Sequence, residues 1–81
     1  MITMNSAGHR PANGAARLIG EALRLLEVGK AHEARGQLRD FLRGQPAEER
    51  DPLLVAAGVE LLQGRPAIAR KRLLAAMERG Q

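Results

Sequence analysis

Cysteine, tryptophan and tyrosine are absent from this 81-residue chain, and Phe41, Ser6 and Thr3 are each alone of their kind. The lack of cysteine excludes a disulfide framework, a thiolate nucleophile and a cysteine-rich zinc site. Val, Ile, Thr and aromatic residues are scarce, which removes most strand-forming chemistry. Long apolar runs are missing too. The stretch from Leu53 to Val59 falls far short of the ~20 residues that a membrane-spanning helix needs. The first residues, MITMNSAGHR, have neither a basic start nor an apolar centre, so no secretory signal is expected. A cytoplasmic location is the resulting expectation.

What is present is Ala, Leu and Arg, good helix formers, in a chain 44% hydrophobic and 27% charged. That is enough apolar material for one small core. Thirteen Lys and Arg against nine Asp and Glu give a net charge of +4, most of it beyond Pro52. A surplus of this size suits an ordinary dispersed domain.

Glycine and proline divide the chain into four helices. The first is predicted from about Asn13, a plausible cap, to Val28, where Gly29 supplies a left-handed stop. Residues 1–12 are expected to be a flexible lead-in to a domain over 13–81. The second helix is predicted from Lys30 to Arg43, ended by Gly44-Gln45-Pro46. Asp51-Pro52 is a strong start signal, an acceptor for free amides followed by a preset φ, and opens a third helix to Gln63. Pro66 opens the fourth, which runs to Arg79. The third helix carries one charge, Glu60, and a helix apolar on nearly all sides is expected to be buried on nearly all sides.

Gly29 falls on Gly64 at an offset of 35 residues, and with it Ala22 on Ala57, Lys30 on Arg65, Ala34 on Ala69, Arg35 on Arg70 and Leu38 on Leu73. Two similar helix pairs with short turns mark a helical repeat. On Ala22, Gly29, Ala34, Leu38 and Pro46 the first unit resembles a tetratricopeptide repeat, whose period is about 34 residues. Phe41 and Glu60 depart from that pattern. The resemblance implies an all-α fold of two stacked antiparallel hairpins, four helices in all; a hairpin stack of armadillo or HEAT type, or a plain four-helix bundle, would give much of the same pattern. It also implies a protein-binding role in which the first helix of each pair lines a groove. Small members of this kind include chaperones for exported proteins.

The expected core is Leu18, Ala22, Leu25, Ala34, Leu38, Leu53, Ala57, Ala69, Leu73 and Met77. A second apolar stripe, Ile19, Leu23 and Leu26, lies beside it on the first helix, and Leu54, Leu61 and Leu62 are the matching surplus on the third. These six residues are the predicted partner-binding surface, for an amphipathic helix of another protein or for a second copy of the chain. The alternative is that they pack the first helix on the third. A structural homodimer without further ligand is a separate reading.

Arg65, Arg72 and Arg79 recur every seven residues and share one side of the fourth helix. They are the candidate contacts for a nucleic acid, although no aromatic stands ready to stack on bases. No catalytic residue, metal ligand or cofactor is assigned, and an enzyme is not expected. His9 and Ser6 fall in the lead-in, and His32 has Arg35 and Gly36 where a second metal ligand would stand.

Overall fold

A computed structural model describes residues 3–80, and their side chains from Gly14 onward. Its order is α1 (Thr3–Glu27), α2 (Ala31–Arg43), a 3₁₀ turn (Ala47–Glu49), α3 (Pro52–Leu62) and α4 (Pro66–Arg79). The described residues contain no strand, so the fold is all-α. Three helices lie within a residue or so of their predicted bounds. The first departs. Its backbone is helical from Thr3. Asn13 therefore lies within α1 rather than capping it. The side chains of Ser6, His9 and Asn13 lie outside the described residues.

The two hairpin turns are copies of one another. Gly29 has φ +79° and Gly64 φ +75°. The Gly29 amide donates to the Leu26 carbonyl at 3.1 Å and the Lys30 amide to the Leu25 carbonyl at 2.8 Å. The Gly64 amide meets the Leu61 carbonyl at 3.1 Å, and the Arg65 amide the Glu60 carbonyl at 2.8 Å. This pairing of the last carbonyls by the two following amides is the Schellman motif, and it needs a residue that tolerates positive φ. A Cβ at either glycine would touch nothing within 4 Å, so its cost is conformational alone. Gly29→Ala and Gly64→Ala should each lower stability by about 1 kcal/mol, nearly additively, in urea unfolding. Gly20→Ala, equally unobstructed but inside α1, should raise stability by about 0.5–1 kcal/mol.

Asp51 caps α3 as its sequence signal predicts. Its Oδ1 accepts the Leu53 amide at 2.9 Å, and Pro52 takes the first helical position. The same carboxylate pairs with Arg79 at the far end of α4, tying the start of one helix to the end of the next. Asp51→Ala should cost about 1 kcal/mol, whereas Asp51→Asn, which keeps a cap acceptor, should cost less; thermal melts read the difference.

Packing runs around a ring: α1 on α2, α2 on α3, α3 on α4, and α4 back on α1. The two hairpins therefore face each other across one core, and α1 and α3 share no comparable seam. Alanines make the close approaches. Ala22, Ala34, Ala57 and Ala69 are fully buried, as are Leu38 and Leu73. Leu25 and Ala76 join them, and Leu18, Leu53 and Met77 pack half-buried against the cluster.

Candidate functional site

The ring decides which of the surplus apolar residues are surface. Ile19 is 4% exposed, Leu54 1% and Leu61 8%. These three were expected to face a partner, and the expectation fails for them. Where α4 closes on α1, Ile19 joins Ala76 in the buried cluster with Met77 packed against it, and the third helix turns Leu54, Ala57 and Leu61 inward as its core stripe. Leu23 and Leu26 are half-buried against the same core. Leu62 alone of the six is open, at 68%.

Leu62 has company that periodicity did not single out. Val55 is 41% exposed and Val59 46%, so α3 is not buried all round. Val55, Val59 and Leu62 stand four and three residues apart and form one face about 10 Å long. That face is one wall of a groove of about 370 Å³ between α2 and α3, floored by Gly58 and Leu42. Gly58 lies beside the valines, and a Cβ there would meet the Leu38 side chain at 3.7 Å, an ordinary contact.

The opposite wall is cationic. Arg35, Arg39 and Arg43 recur every fourth residue along α2, and Arg50 joins them from the loop before α3. Among the described residues, no carboxylate lines the groove. Arg39 pairs at 3.2 Å with Asp40, both side chains at least half in water, and the Arg50 Nε donates to the Gln45 carbonyl at 3.1 Å. Arg35 and Arg43 have no carboxylate within ion-pair reach among the described residues. Like charges four apart on a helix cost about 0.2–0.5 kcal/mol per pair, so the fold itself gains nothing from this row. The spacing 35, 39, 43 is visible in the sequence, but nothing local distinguishes it from an ordinary solvated helix face.

No family model matches the chain, and no curated protein or solved structure matches it either.

The other candidate positions lie outside the groove's lining. Arg65 lies 3.6 Å from Glu60 and Arg79 is paired with Asp51, which leaves Arg72 as the member of that stripe without a carboxylate beside it among the described residues. Glu60 itself is largely buried, and its Oε1 makes no hydrogen bond, so the nearby guanidinium answers it by charge alone. His32 is exposed on α2. A second hollow, between Ala15, Ala16, Ile19 and Met77, is smaller, and the Asp51–Arg79 pair borders it. On α1, a hydrogen bond from Arg24 holds the Glu21 carboxyl below its usual range against slight desolvation, with the charge of Arg24 adding to the effect. This is a solvent-facing pair outside the groove's lining. No described helix is long and apolar enough to cross a membrane.

Proposed function

We propose that the chain is a small helical docking module that holds a segment of another protein in the groove between α2 and α3. The carrying observation is the exposed Val55, Val59 and Leu62 face set against an arginine row in a preformed depression. Aliphatic residues exposed together in a groove lose contact with water when an apolar helix face covers them. We read the two hairpins as tetratricopeptide-like, supported by the duplicated glycine turn and the alanine crossings at a 35-residue offset. The face used differs from that family's. Ring closure occupies the inner surface of α1 and α3, and binding moves to the outer seam between the hairpins.

Selection of displayed random peptides on the whole chain tests this. Binders should be recovered that lose the protein when Val59→Asp is introduced and keep it with Val28→Asp, an exposed valine outside the groove. Far-UV circular dichroism should be unchanged in both variants. Recovery of no binders, or of binders indifferent to Val59→Asp, overturns the reading.

A further inference from the structure

We infer that the groove's occupant is an acidic amphipathic helix, with a row of carboxylates every four residues beside an apolar stripe. This inference rests on the docking reading and adds the chemistry of the partner. Arg35, Arg39 and Arg43 rise about 6 Å apart along α2, the same step that separates side chains four apart on any other helix. A helix laid along the groove would therefore set three carboxylates beside three guanidiniums, Arg39 exchanging its solvent-exposed Asp40 partner, while its apolar stripe covers Val55, Val59 and Leu62. Arg50 extends the cationic rim at one end.

Guanidinium suits this task. Its planar fork binds carboxylates in pairs of hydrogen bonds, and its weak hydration makes it less costly than an ammonium to bring against an apolar wall. Other occupants fit less well. A nucleic acid would meet aliphatic residues where base stacking calls for aromatic ones. A bilayer surface is too flat to enter a depression between two helices. A second copy of the chain would bring its own arginine rim against this one.

The test uses three synthetic peptides of about 18 residues, long enough to form helix on binding. They share one Leu and Val stripe and differ in the fourth-residue row, which is Glu, Gln or Lys, residues of similar helix propensity. Fluorescence anisotropy with the whole chain should rank Glu above Gln by about tenfold or more, with Lys weakest. Raising salt, or introducing Arg35→Gln, Arg39→Gln and Arg43→Gln together, should close the Glu–Gln gap. Val59→Asp should abolish binding of both. If Glu and Gln peptides bind equally and both need Val59, docking stands and the acidic partner is overturned. If the Glu peptide binds regardless of Val59, the groove is not the site and both readings fail. Stronger competition by duplex DNA or by anionic phosphatidylglycerol vesicles overturns the inference. So does self-association in sedimentation equilibrium that the Arg39→Glu variant abolishes.

Discussion

Leu38→Ala is expected to cost about 2–5 kcal/mol, which for a chain of this size is most or all of its stability. The side chain is fully buried. It lies on α2 between Ala34 and Phe41 and reaches the backbone of α3 at Gly58, so it joins the first hairpin to the second as well as filling the centre. Alanine there leaves a void that Gly58, the neighbour on α3, has no side chain to fill. Leu73, its counterpart 35 residues on, is equally buried and should be equally costly. Circular dichroism melts of the two variants check the expectation. A loss under about 1 kcal/mol at either site would mean that the hairpins do not share one core.

Much of this architecture was legible because the chain is strongly punctuated. Gly29, Gly64, Pro52 and Pro66 are positions where backbone sterics leave few choices, and the helices end or begin there. The buried alanines and leucines were found for a related reason. A small residue repeated at the same place in two hairpins marks the crossing where backbones come close, and Leu38 and Leu73 lie one turn further along the same face.

The orientation of α3 was not legible, and its composition is the cause. With Leu53, Leu54, Val55, Val59, Leu61 and Leu62 spread around it, periodicity permits either Leu53 or Leu54 beside Ala57 in the core. The choice belongs to packing between distant elements, above all to α4 closing on α1, and no local pattern reports that closure. The repeat carried the error across both units. Ile19 and Leu54 are equivalent positions, so an outward assignment for one implied it for the other, and both are inside. Arg35, Arg39 and Arg43 were not legible as a binding row for the opposite reason. Charged residues on a helix are usually solvated, and only the neighbouring valines give this row a use.

Leu54→Asp and Leu62→Asp make the same chemical change on the same helix and should have opposite outcomes. Leu54 is buried in a cluster that holds no buried polar or charged residue among those described, and a carboxylate there would lose its hydration uncompensated. The penalty should exceed about 4 kcal/mol and unfold the chain. Leu54 lies in the first turn of α3, where the helix dipole favours a negative charge, but that gain of about 0.3–1 kcal/mol is several-fold too small to rescue it. Leu62 stands in water at the other end of α3, where the dipole disfavours Asp by a similar amount and the arginine rim offsets it. Its variant should stay folded, within about 1 kcal/mol of the parent, while losing any ligand of the groove. Far-UV circular dichroism with urea titration reads both. A folded Leu54→Asp would return that residue to the surface and reopen the face between α1 and α3, and an unfolded Leu62→Asp would remove the groove's exposed wall.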